Sequence, residues 1–215
     1  MDGSPSPYRE RLGAIEADVI QLFALVAEGL VAATDALLSG EPDIHEILRE
    51  RERPIDDLYE DVEEVVEHHF ALEPPAATDQ RFLLSVLRVV PELERSHDLV
   101  LHIARRAGGG FGAELTPRCR GLVERMGRLG SEMWRQAADS WYERDGSAAG
   151  ALVERDDEMD DLHAVLTAEL SSGRMPLPVI VDMTLVAHFY QRLGDHAVNI
   201  ARRVVSLTAS RGRAR

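Results

Sequence analysis

The 215-residue chain is expected to be all-α, built as a tandem pair of three-helix bundles. Three observations predict this. Apolar residues recur at intervals of three and four along most of the sequence. No stretch alternates strictly between apolar and polar residues, the pattern a half-buried strand would need. The second half also repeats motifs of the first: ERERPIDDL at 50–58 returns as ERDDEMDDL at 154–162, and ERSHDLVLHIARR at 94–106 returns as QRLGDHAVNIARR at 191–203. Such self-similarity marks one structural unit used twice, here with a period of roughly a hundred residues.

The elements follow in order. Leu12, Ile15, Val19, Leu22, Val26, Leu30, Ala33 and Leu37 draw one apolar stripe down a first helix, which Gly40 stops. A second helix is expected after Pro42, reaching Phe70 and ending at the Glu73-Pro74-Pro75 corner. Thr78 reads as the N-cap of a third helix running to Arg106. Gly108-Gly109-Gly110 then divides the chain into residues 1–110 and 111–215. Thr116 caps a fourth helix with Pro117 in its first turn, and Leu122, Met126, Leu129, Met133, Ala137 and Trp141 form its stripe. Asp145-Gly146-Ser147 turns the chain into a fifth helix ending at Leu170. Ser171-Ser172-Gly173 closes that helix, and a sixth follows Pro176 and Pro178 to Ser210. Pro54 and Pro91 fall inside expected helices, where each removes a backbone hydrogen bond and should kink the rod at a cost of about 3 kcal/mol.

Composition narrows the function. Hydrophobic residues make up 45% of the chain, enough for a packed core. The single cysteine, Cys119, rules out an intrachain disulfide framework and fits a reducing compartment. Arg118 and Arg120 flank it and would lower its pKa, but no base or orienting group accompanies it. The polar opening MDGSPSPYRERL does not read as a signal peptide, and no run of eighteen apolar residues suggests a membrane span. A cytoplasmic location is therefore expected. The net charge of −14 argues against a nucleic-acid partner. All 24 basic residues are Arg, which reads as a codon bias of a GC-rich genome, and the basic tail 202–215 as a helix end with cations at its negative terminus. GGGFG at 108–112 lacks the strand, Lys and Ser/Thr of a phosphate loop, and no nucleophile–base set can be assembled. The chain does not read as an enzyme.

The acidic residues carry the chemistry. Residues four apart share a helix face, and this spacing joins Glu52 to Asp56, Glu94 to Asp98, and Asp156 to Asp160. The fourth equivalent pair is Gln191 with Asp195. Extending the first pair gives Glu52, Asp56, Glu60 and Glu64 along one stripe. Like charges so placed cost roughly 0.2–0.5 kcal/mol per pair, so something must compensate: Arg from a neighbouring helix, solvent and salt, or a bound cation. Hard cations take carboxylate oxygens, and helices packed about 8–10 Å apart bring acids on neighbouring rods within reach of one ion.

With the segments QRLGDHAVNIA at 191–201, ERDDEMDDLH at 154–163 and PPAATDQR at 74–81, the chain resembles the PhoU family of phosphate-transport accessory and regulatory proteins over residues 8–210. The resemblance implies a tandem pair of three-helix bundles. It also implies a metal face formed by Glu52, Asp56, Glu94 and Asp98 in the first half, and by Asp156, Asp160 and Asp195 in the second. Iron is the first expectation for the ion, with zinc, manganese or magnesium as alternatives. By the same resemblance the partners are a phosphate ABC transporter and a sensor histidine kinase, any membrane contact is peripheral and made through them, and the protein is a homodimer. Gln191 departs from the family pattern, which has Glu, and leaves the second face one anion short unless its carbonyl oxygen ligates. His97 and His102 depart likewise, standing where the repeated motif has Gly and Asn.

Two other readings stay open. Glu94-Arg95-Ser96-His97, with Asp160-Asp161-Leu162-His163 as an imperfect second copy, resembles the Glu-x-x-His signature of ferritin-like di-iron bundles. The acidic faces would also suit a metal-free scaffold that binds basic partners. His68 and His69 read as surface residues at a helix end, and His188 and His196 on the sixth helix as packing residues.

Overall fold

The structure is a computed structural model that describes residues 7–51, 57–58, 60–62, 64–65, 76–144 and 146–209. Its principal helices are α1 (Pro7–Ser39), α2 (Ile44–Arg49), α3 (Ala77–Ala107), α4 (Pro117–Glu143), α5 (Ala148–Leu170) and α6 (Leu177–Ala209), with a short 3-10 turn at Phe111–Glu114. The described residues between 57 and 65 are also helical, and no strand occurs among the described residues.

The stripes read from the sequence are the buried faces. Ile15, Val19, Leu22, Val26, Leu30, Ala33 and Leu37 of α1 are all buried, as are Met126, Leu129, Met133, Ala137 and Trp141 of α4. Leu12 and Leu122, at the outer ends of the stripes, are only partly covered. Gly40 stops α1 as expected, with φ +86° and its N–H donating to the Ala36 carbonyl at 2.7 Å. Thr116 caps α4, accepting the Cys119 N–H at 3.2 Å. α1 is apolar enough by composition to cross a bilayer. Its packing explains that composition, because it lies against both α3 and α4 and buries apolar residues along most of its length.

Two expectations need correction. The second helix does not run unbroken: α2 ends at Arg49, and Arg51 lies in a turn. Pro54 has no N–H to give the Glu50 carbonyl, so a helix is disfavoured at that point. Thr78 is not the cap of α3, whose capping position is Ala76 without any side-chain bond. As expected, α3 continues through Pro91 to Ala107. The Pro54 kink, the Glu73-Pro74-Pro75 corner, His68 and His69 lie outside the described residues.

One hydrophobic core runs through both halves. α4, α5 and α6 pack on one another, α1 packs on α3, and the halves join along α1–α4 and α3–α6. Small residues allow the close approach of α1 and α4. A Cβ at Gly130 would stand 2.8 Å from Leu30 Cδ2, and one at Gly127 would strike the Thr34 side chain. Ser131 Oγ donates to the Ala27 carbonyl at 3.1 Å. Thr34 Oγ1 donates its single hydrogen to the Leu30 carbonyl at 2.6 Å and so accepts from Tyr190 Oη at 2.8 Å. Tyr190 is fully enclosed, and burial raises its pKa well above the ordinary phenol value. Phe23 of α1 lies 6.0 Å from Trp134 and 6.4 Å from Trp141 of α4, and Phe82 of α3 lies 6.4 Å from Trp141.

Candidate functional site

The acidic residues proposed from the sequence fall on three helices. Glu94 and Asp98 stand exposed one turn apart on α3. Asp156 and Asp160 lie on α5 and Asp195 on the adjacent α6; Asp160 and Asp195 are exposed and Asp156 is half-buried. Glu52 and Asp56 lie outside the described residues. Glu60 and Glu64 are both exposed. Glu64 is compensated by a neighbouring helix, with Arg11 Nη2 of α1 donating to its Oε2 at 2.8 Å.

The second-half acids do gather. Asp156 Oδ1 is buried without a hydrogen-bond partner, and a Cβ at position 194 would come within 2.6 Å of it. Gly194 is therefore the residue that makes room for this carboxylate. Burial first, then the charges of Asp195, Asp160 and Asp157, raise Asp156 from 3.8 to about 6, and only Arg202 acts to lower it. Gln191 Nε2 donates to Asp160 Oδ1 at 2.6 Å, so its amide meets the acid as a donor and does not offer a ligand oxygen there. Among the described residues, no group of three or more His, Cys, Asp or Glu side chains is arranged to hold a metal ion. As arranged, then, the second face does not fit a three-ligand ion site.

The ferritin-like reading meets the same obstacle. Glu94 is exposed while its supposed partner His97 is 1% exposed, so the two do not open onto a common cavity. Burial pulls the His97 pKa below the ordinary imidazole value, against the opposing influence of Asp98 and of a backbone contact with Leu48. Burial also raises the Cys119 thiol, opposite to the effect expected from Arg118 and Arg120. His188 is exposed and His196 buried, so only the latter has the packing role expected of both.

The contact sequence reasoning missed is the one joining the two repeats. Ser96 Oγ of α3 donates to the Glu92 carbonyl at 2.6 Å and faces His196 Nδ1 of α6 at 2.9 Å. Its hydrogen being committed, it accepts from Nδ1–H. Glu92, 8% exposed, has Arg203 Nη2 3.5 Å from Oε1, and His196 Nδ1 and Arg95 Nη1 each 3.8 Å from Oε2. Arg106 of α3 reciprocates toward α6, its Nε 3.0 Å from Asp182 Oδ1. Arg106 and Arg203 occupy equivalent positions of the repeated motif, so each repeat's arginine grips the other repeat's helix. A signal was available: an acid and a hydroxyl at 92 and 96 interrupting an apolar α3 face.

Comparison with known proteins agrees with the repeat. The PhoU domain profile matches residues 19–107 and again 123–204. The chain belongs to the PhoU family. It is 31% identical over 201 residues to the phosphate-specific transport system accessory protein PhoU homolog 2 of Mycobacterium tuberculosis, covering 92% of this chain and 94% of that one. It is 28% identical over 207 residues to the PhoU homolog of Synechocystis, covering 93% and 90%. Among solved structures, the PhoU crystal structure from Pseudomonas aeruginosa superposes with a TM-score of 0.83 at 25% identity, covering 94% of this chain and 99% of that one. The fold is thus that of PhoU proteins, and the paired arginines and the Ser96–His196 contact lie in the α3 and α6 motifs that the family profile spans twice.

Proposed function

We propose that the protein is a cytoplasmic, non-enzymatic regulator of phosphate uptake and of the phosphate-starvation response. It acts as a homodimeric adaptor between a phosphate ABC transporter and a sensor histidine kinase. The observation that supports this reading is the doubled PhoU match across both halves, together with relatives named as accessory proteins of phosphate-specific transport. An adaptor shifts a kinase equilibrium only by binding one kinase state better than the other. Deleting the gene is expected to derepress phosphate-scavenging genes in phosphate-rich medium, read as transcript levels; unchanged transcripts would refute the regulatory role.

Metal binding is proposed for the first-half face, where Glu94 and Asp98 stand a turn apart and Glu52 and Asp56 complete the set in sequence. Carboxylates there suit a hard cation, iron first. Elemental analysis of protein purified without chelator should show metal that the Glu94→Ala/Asp98→Ala variant loses; equal content in both removes these acids as ligands. The second reading, a metal-free scaffold, is supported by protein groups that already meet acids of both halves, Gln191 donating to Asp160 and Arg11 to Glu64. Partner binding that survives chelation supports it.

A further inference from the structure

The chain carries a net charge of −14, yet cations collect at one end of the bundle. His102, Arg105 and Arg106 of α3, with Phe189 and Asp182 of α6, line a cleft of about 420 Å³. His45, just within α2, is held below the ordinary imidazole value by burial and then by Arg105, with Arg49 and His102 acting in the same direction and Glu46 against. These groups therefore share one neighbourhood. Asp182, the acid lining the cleft, is committed to Arg106 at 3.0 Å, and Glu46 is committed to Arg49 at 2.7 Å. Arg105 is exposed and pairs with no carboxylate among the described residues.

The cleft is bordered by an apolar strip. Leu177, Val181 and Leu185 follow one another at one-turn spacing on α6 and are 71%, 52% and 40% exposed. Leu185 sits one turn before Phe189 and three residues after Asp182, which places the strip against the cleft. Phe189 is half-buried, with the Arg106 guanidinium 5.0 Å from its ring centroid and His102 stacked 5.4 Å away. The Arg106 guanidinium and the His102 ring thus both lie over an aromatic floor that remains partly open. From Leu177 to Leu185 the strip rises about 12 Å along the helix, enough to receive two turns of a partner helix.

We propose that this strip and cleft form the docking surface for a helix of a different protein, one that presents carboxylates beside an apolar edge. The inference deepens the adaptor reading and rests on it. A free inorganic anion would use Arg105 and leave the three exposed aliphatic side chains without purpose, whereas an acidic amphipathic helix uses both. A twofold contact with a second copy would set this arginine cleft against its own equivalent, which charge disfavours, so the homodimer contact proposed above uses another face.

A photoreactive benzophenone side chain at Val181 tests the proposal, with one at Val153 on the outer face of α5 as control. Cells grown in phosphate-rich medium are irradiated and the cross-linked peptide is sequenced by mass spectrometry. The expected product from position 181, absent from position 153, is a peptide of the transporter or kinase that carries at least two carboxylates within a turn of apolar residues. Its yield should fall about tenfold in Arg105→Glu, whose thermal unfolding should match the parent because the side chain is exposed. A captured peptide without acids, capture of a second copy, yield undiminished by Arg105→Glu, or yield abolished by excess inorganic phosphate overturns the inference. None of these touches the adaptor reading, which the deletion phenotype judges separately.

Discussion

Trp134→Ala is expected to lower stability by about 3–5 kcal/mol, the range for emptying a large buried aromatic site. Trp134 is fully enclosed, and its ring lies 6.0 Å from Phe23 at the junction of α1 and α4. Its indole nitrogen is buried without a hydrogen-bond partner, so truncation relieves one unmet donor, and the cost should fall toward the lower end of the range. In a protein of this size each kcal/mol shifts Tm by about 2–4 °C, so a drop near 10 °C is expected by circular dichroism. Tyr142→Ala, at a side chain 67% exposed, should stay within about 0.5 kcal/mol of the parent. The continuous core adds a second expectation: the lost ring weakens both halves together, so unfolding remains one transition. Two separate transitions with only one displaced would show that the halves unfold independently and that the α1–α4 seam couples them weakly.

What could be read from the sequence was whatever repeats along one helix. The stripes of α1 and α4 declare themselves because burial recurs every turn, and Thr116-Pro117 declares a helix start because the orphan N–H of Cys119 needs a local acceptor. The doubled motifs likewise announce a doubled unit. What could not be read depends on partners with no local signature. Gly127 and Gly130 look like weak points in a helix until α1 is laid against them. Gln191 looked like a carboxylate substitute whose carbonyl could ligate, whereas its amide donates to Asp160, thirty-one residues earlier in the chain. The break after Arg49 is masked by an apolar period that persists on either side of Pro54. Spacing alone places Glu94 and His97 close together, yet burial separates them. The arginine cleft draws on α3, the turn that follows it and α6, and no window of sequence contains it.

Asp156→Asn is expected to stabilise the protein at neutral pH, provided chelator keeps cations away. The folded state raises this carboxyl from 3.8 to about 6, by burial first and then by Asp195, Asp160 and Asp157. A raised carboxyl pKa means the native state holds a proton that the unfolded chain releases. The group's contribution is therefore most favourable below about pH 4, declines as pH rises through about 6, and is flat and unfavourable above that. The full shift would correspond to about 3 kcal/mol, but the side chain is only half-buried and solvent screening reduces the effect to roughly 1 kcal/mol. The variant should gain that amount over the parent in urea titrations near pH 7 and almost nothing near pH 4. An Asn that weakens the chelated protein at neutral pH would contradict the repulsion argument. Saturating the protein with a divalent cation gives the second half of the test. If an ion bridges these acids, it removes the penalty, and the same substitution should then cost stability. If Gln191 and Arg202 already supply all the compensation this face receives, the gain from Asn should be the same with and without metal. The sign of one ΔΔG, measured under two conditions, thus decides whether the second acidic face holds an ion or, as its geometry indicates, only tolerates its own charge.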